Sequence, residues 1–252
     1  MLPIDFKDLG CKECAQGCDL GFDFSMALQP IIDVESRTIF AQEALARGLN
    51  GEGAGEVFKH VNETNLYRFD QSCRVKAIRL AAQLNVDSYL SINFLPNAIY
   101  RPELCIRTTL AAAETYAFDK TKIIFEFTEN ERIVDQKHLI NIISHYEKIG
   151  FQTAIDDFGS GYNGLAQLAG LKTQITKIDM ELIRNIDQDP ARQIIVRHMV
   201  NMLTELGQRV IAEGIETDAE YRTLRDMGIT LYQGFYFAKP AFESLADVHW
   251  PD

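Results

Sequence analysis

Short apolar, β-branched or aromatic runs recur along the chain, with longer amphipathic stretches between most of them. The runs are FSMALQPII (24–32), TIFAQEAL (38–45), SYLSINF (88–94), KIIFEF (122–127), QTAID (152–156), QITKID (174–179), RVIAEG (209–214) and LYQGFYF (231–237). Residues 55–84, 136–149, 190–206 and 218–227 carry apolar residues at helical spacing. Eight strands alternating with helices predict an α/β fold, closed as a (β/α)8 TIM-like barrel. One link departs from that scheme. Only DVESR (33–37) separates the first two runs, too short for a parallel crossover of about a dozen residues but long enough for a hairpin. The first strand is therefore expected to be antiparallel to its neighbours.

Length and composition agree with this picture and narrow the function. A chain of 252 residues has the size of such a barrel, which places one large domain over 24–252 behind an N-terminal, Cys-containing segment, 1–23. With 46% hydrophobic and 24% charged residues it is an ordinary globular chain. The net charge of -11 speaks against a nucleic-acid polymer as partner, because phosphate-driven binding needs clustered Lys and Arg. A small anionic ligand, met by a few Arg or a metal, stays open. No run reaches the ~18 apolar residues of a membrane span, and MLPIDFKDLG lacks a signal-peptide pattern, so a cytoplasmic location is expected. Five Cys, an odd count, fit a reducing compartment. Cys11, Cys14 and Cys18 have a spacing that can hold a metal but no evident fourth ligand nearby; the alternative is a reduced tail.

The candidate chemistry lies where the runs end. Glu43, Asn93, Glu126, the adjacent Asp156 and Asp157, Lys177 and Glu213 fall at successive strand ends, and Gln233 falls in the last run. In a barrel these ends converge on one mouth, so five carboxylates would share one site. Two like charges about 4 Å apart cost ~4 kcal/mol at an effective dielectric of ~20. Either some of the acids hold protons or divalent cations neutralise them. Carboxylates, one Asn amide and no His suit Mg2+ or Mn2+ better than zinc. Asp156 and Asp157 can address two neighbouring ions, and two ions ~3.5–4 Å apart clamp the attacking and leaving oxygens of a phosphoryl displacement. Amid the acids Lys177 stays an ammonium, which suits holding a water and hinders Schiff-base chemistry. Taken singly, each residue reads as a helix cap, a solvated loop residue or a salt-bridge partner; their recurrence at successive strand ends is what points to a site. Gly51-x-Gly53-x-Gly55 has the look of a phosphate-cradling loop but lacks Lys-Ser/Thr and carries Glu52.

Glu43-Ala44-Leu45 followed by Arg47 resembles the signature of the EAL domain family of cyclic di-GMP phosphodiesterases. The resemblance continues through Ser91-Ile92-Asn93, Glu126-Phe127-Thr128-Glu129, Asp156-Asp157-Phe158-Gly159-Ser160-Gly161-Tyr162, Lys177-Ile178-Asp179, Ala212-Glu213-Gly214-Ile215-Glu216 and Gln233-Gly234-Phe235, covering roughly 24–242. It implies a barrel with an antiparallel first strand and hydrolysis of cyclic di-GMP to linear 5′-pGpG with two Mg2+ or Mn2+ ions. It further implies that Glu43, Asn93, Glu126, Asp156 and Asp157 hold the metal. Lys177, Glu213 and Gln233 would position and activate the attacking water. Glu129 would anchor the loop after Asp157, Gln29 and Arg47 would hold a guanine and a phosphate, and the protein would be a homodimer. Gly48 stands where the family usually has an aromatic residue after the Arg. Two alternatives differ in class. A non-catalytic cyclic di-GMP receptor would bind through Gln29 and Arg47 without turnover, and a Schiff-base aldolase would use Lys177 and ignore metal removal.

Overall fold

The structure, a computed structural model, describes residues 20–96, 99, 101–128, 136–161 and 164–251. The strands are β1 (Ser25–Asp33), β2 (Thr38–Arg47), β3 (Tyr89–Asn93), β4 (Ile123–Thr128), β5 (Gln152–Phe158), β6 (Ile175–Ile178), β7 (Arg209–Ala212), β8 (Leu231–Tyr232) and β9 (Ala241–Phe242). The helices are α1 (Ala54–Phe58), α2 (Leu66–Gln83), α3 (Pro102–Cys105), α4 (Arg107–Thr115), α5 (Gln136–Ile149), α6 (Gly164–Gly170), α7 (Met180–Ile183), α8 (Pro190–Glu205) and α9 (Asp218–Arg225). Strands β2 to β8 pair in parallel in chain order, and β1 closes the barrel antiparallel to both β2 and β8. The short hairpin at 33–37 thus has the consequence its length predicts.

Two elements differ from the sequence reading. The stretch 55–84 is two helices, α1 and α2, because His60–Asn65 turns on its own side chains. Asn65 Oδ1 accepts from the Asn62 amide at 2.8 Å, and Asn65 Nδ2 donates to the His60 carbonyl at 2.9 Å. The last run supplies only two strand residues before the chain turns at Gly234. A Cβ there would stand 2.2 Å from the Ile215 carbonyl oxygen, so only glycine fits that crossing. Because β8 is so short, it meets only Ile32 and Asp33 of β1, and β9 pairs with Ala27 and Leu28 further along the strand. Since β2 already occupies the opposite edge along the whole of β1, β9 completes the closure that β8 leaves unfinished.

Side chains alternate across each strand. One set packs outward against the helices, as Ile92, Phe125, Phe127 and Ile155 do with Val75 and Ile78 of α2 and Ile142 and Tyr146 of α5. The other set fills the barrel with an apolar layer of Ile31, Ala41, Ile124, Ala154, Ile175, Ile211 and Leu231. That layer is the floor of the site.

Candidate active site

Two residues beyond each floor residue the strand presents a polar one: Glu43 follows Ala41, Glu126 follows Ile124, and Asp156 follows Ala154. Lys177, Glu213 and Gln233 follow Ile175, Ile211 and Leu231 in the same way. On β1 the order is reversed, with Gln29 two residues before Ile31, as an antiparallel strand requires. The period-2 pattern therefore sets a polar layer directly above an apolar one.

Lys177, with a side chain only 1% exposed, stands at the centre of that layer. Its Nζ is 2.6 Å from Glu213, 3.0 Å from Glu126, 3.1 Å from Asp156 and 3.6 Å from Glu43. Burial opposes its charge, but Asp156, Glu126, Glu213 and Glu43 outweigh burial and hold the ammonium well above the ordinary lysine range. Burial pushes Glu126 up to about 8, with Glu43 and Asp156 adding to the shift and Lys177 opposing it. Burial and then Asp156 likewise raise Glu213 well above the carboxylate range. Glu43 is oriented by two amides: Asn93 Nδ2 donates to it at 3.0 Å and Gln233 Nε2 at 2.7 Å. The Gln233 side-chain oxygen, Oε1, is buried and has no partner among the described residues.

Adjacent strand residues ordinarily face opposite ways, so Asp156 and Asp157 need a device to share the mouth. The register of β5 against β6 shifts between Ile155 and Phe158, and Asp157 adopts φ +54°. Asp tolerates this left-handed conformation better than most residues, and bulges beside active sites re-aim side chains in this way. Asp157 is half-buried, and burial, then Asp156 and Asp179, push it up to about 7. Gly159, at φ +99°, passes so close to Leu182 that a Cβ would meet its side chain.

Oxygens of Glu43, Glu126 and Asp156 lie within 4.8 Å of one another, as do those of Asp156, Asp157 and Glu213. Two carboxylate triads that share Asp156, with the Asn93 amide beside them, form an all-oxygen donor set that fits two hard divalent cations. A cavity of about 300 Å3 opens over the triads, lined by Gln29, Asp157, Met180, Arg184, Glu213 and Phe235 among others. Gln29 donates from Nε2 to the Ala238 carbonyl at 3.1 Å. Arg47, at the end of β2, is half-buried and donates to the Ala46 carbonyl. Among the described residues no carboxylate lies within ion-pair distance of it, so it does not form the surface ion pair that is its plainest reading. Glu129, Tyr162 and the three N-terminal cysteines lie outside the described residues. The glycines at 51–55 form no anion cradle, since Glu52 occupies the loop by accepting from the Asn50 amide and side chain. Sequence reasoning missed Met180 and Arg184 and gave no role to Phe235, although that residue stands in the last motif of the resemblance.

Residues 16–240 match the EAL domain family. The chain belongs to that family. Its fold superposes on the crystal structure of a standalone EAL protein from Vibrio cholerae O395 in its c-di-GMP-bound form. That match has a TM-score of 0.89 at 55% identity, over 92% of this chain and 98% of that one. BlrP1 of Klebsiella pneumoniae, in complex with manganese and cyclic di-GMP, aligns with a TM-score of 0.86 at 32% identity, over 91% of this chain and 59% of that one. The Escherichia coli antirepressor BluF is 29% identical over 249 residues, 98% of this chain and 61% of BluF. The E. coli cyclic di-GMP phosphodiesterase PdeR is 37% identical over 123 residues, 49% of this chain and 19% of PdeR. The EAL chain thus spans less than two thirds of the length of these curated relatives. Among its described residues no helix is long and apolar enough to cross a membrane.

Proposed function

We propose that this EAL domain hydrolyses one phosphodiester bond of cyclic di-GMP, giving linear 5′-pGpG, with two Mg2+ or Mn2+ ions. The observation that carries this reading is the pair of carboxylate triads sharing Asp156 around a buried ammonium. Glu43, Glu126 and Asp156, with the Asn93 side-chain oxygen, would hold one ion; Asp156 and Asp157, with Glu213 beside them, would hold the other. Such ions, when bound, polarise a phosphoryl oxygen and activate water.

The chain's own residues supply the rest. Lys177 Nζ and Gln233 Nε2 are the donors that would fix the attacking water, and Glu213, 2.6 Å from Lys177 Nζ, would help to position and activate it. Lys177 remains charged throughout and neither accepts a proton nor forms an imine. The planar guanidinium of Arg47 suits a phosphate, and Gln29 holds a guanine at the cavity wall. Exposed apolar side chains at the rim, Met180 and Phe235, suit the faces of a base. Glu129 anchors the loop after Asp157. The domain works in the cytoplasm as a homodimer, a state that sedimentation of the purified chain would check.

The deciding experiment incubates the purified chain with cyclic di-GMP and Mn2+ or Mg2+, with and without EDTA, and resolves the nucleotides by chromatography. Metal-dependent 5′-pGpG is the expected result. Cyclic di-GMP that is bound but left intact overturns the hydrolase in favour of a receptor.

A further inference from the structure

On the outer side of the same strands, α2 carries a buried ion pair that the proposed chemistry does not use. Asp70 and Arg74 lie one helical turn apart, with side chains 3% and 1% exposed, and their charged groups are in contact. Asp70 Oδ1 accepts a hydrogen bond from the Leu95 amide at 3.1 Å, two residues past Asn93. The Arg74 guanidinium lies 5.3 Å from the ring centre of Phe125 and 6.0 Å from that of Phe94, and it donates to the Tyr146 hydroxyl at 3.4 Å. Phe94 follows Asn93 and Phe125 precedes Glu126. Because neighbouring side chains in a strand face opposite ways, holding the two rings outward turns Asn93 and Glu126 toward the mouth. Those two residues are also register partners across β3 and β4.

Stability alone does not account for this pair. Taking two charges out of water is costly, and apolar residues of similar volume at such a place are often as stable or more so. The rest of the buried surface of α2 is mostly apolar, with Phe69, Val75, Ala77, Ile78 and Ala81, and carries only the uncharged Gln71 and Ser72 beside them. An apolar pair, however, cannot accept from the Leu95 amide, donate to Tyr146 or lay a flat cation against two rings. We propose that Asp70 and Arg74 are positioning residues. They fix the backbone that flanks Asn93 and Glu126, and through it the affinity of the mouth for a divalent cation, while contributing little net stability.

This inference rests on reading Asn93 and Glu126 as cation ligands, and its test separates the two. Full-length wild type, the double variant Asp70→Leu with Arg74→Met, and Arg74→Lys are titrated with Mn2+. Free Mn2+ is followed by electron paramagnetic resonance, and thermal unfolding of each protein is followed by circular dichroism. Outer groups that orient metal ligands typically change affinity by about 10–100-fold. The double variant is expected to melt cooperatively at or above the wild-type temperature and to bind Mn2+ more weakly by that factor. Arg74→Lys, which keeps the charge but loses the planar fork, should fold and also bind more weakly. A double variant that fails to fold makes the pair a stability element and overturns the inference, as does a folded one with wild-type Mn2+ affinity. Wild type that takes up no Mn2+ overturns the ligand reading itself, and that result needs no variant.

Discussion

Two layers of the barrel interior share one backbone pattern and differ only in which step of it they occupy. The floor (Ile31, Ala41, Ile124, Ala154, Ile175, Ile211 and Leu231) is apolar. The layer two residues nearer the mouth holds Gln29, Glu43, Glu126, Asp156, Lys177, Glu213 and Gln233. The difference teaches that the floor is part of the chemistry. By keeping water from beneath the charged layer it strengthens every interaction above it. That is why Lys177 needs four carboxylates around it and why Glu126 is pushed up to about 8. Neither layer could exchange places with the other: charges on the floor would lose access to substrate, and an apolar mouth would hold no cation.

The comparison can be broken most sharply at Glu43. Glu43→Ala is expected to remove about 4 kcal/mol of transition-state stabilisation, roughly a thousandfold in kcat/KM, while the circular dichroism spectrum and Tm stay close to wild type. A folded variant that still cleaves cyclic di-GMP would make the upper layer structural. Lys177→Met comes next. Leaving buried carboxylates without their cation should cost about 3–5 kcal/mol in EDTA, a fall in Tm of roughly 6–20 °C for a chain of this size. Mn2+ should restore more of that Tm than it adds to wild type; equal melting with EDTA and with Mn2+ would show that the layer is not held by charge. The smallest effect is expected on the floor. Ile124→Val should lower stability by about 0.5–1.5 kcal/mol in denaturant titration and leave kcat/KM unchanged, and a large loss of activity there would mean that the two layers are not separable.

Much of this is legible in the chain because the informative signals are local. The period-2 runs place all eight barrel strands, and the brevity of DVESR sets the direction of the first. The polar residues near the ends of most runs mark the mouth. What escapes is what depends on partners distant in sequence. β9 is two residues long and exists only because β8 ends early against Gly234. Asp157 is placed at the mouth by its position at the strand end, but the shift in register and the left-handed backbone that turn it there are not legible in the residue pattern. Nothing in the residue pattern marks Asp70 and Arg74, four apart on a helix, and only the packing of Phe94, Phe125 and Tyr146 over them shows that they are inside.

The reversed direction of β1 also decides where the chain enters the barrel. Ser25 pairs with Arg47 and Asp33 with Thr38, so β1 starts at the rim and descends to the far end. In an all-parallel barrel the first strand would start at the far end and rise to the mouth. Residues 20–24, which lead into β1, therefore reach the barrel on the side where the proposed substrate would enter, beside the end of β2.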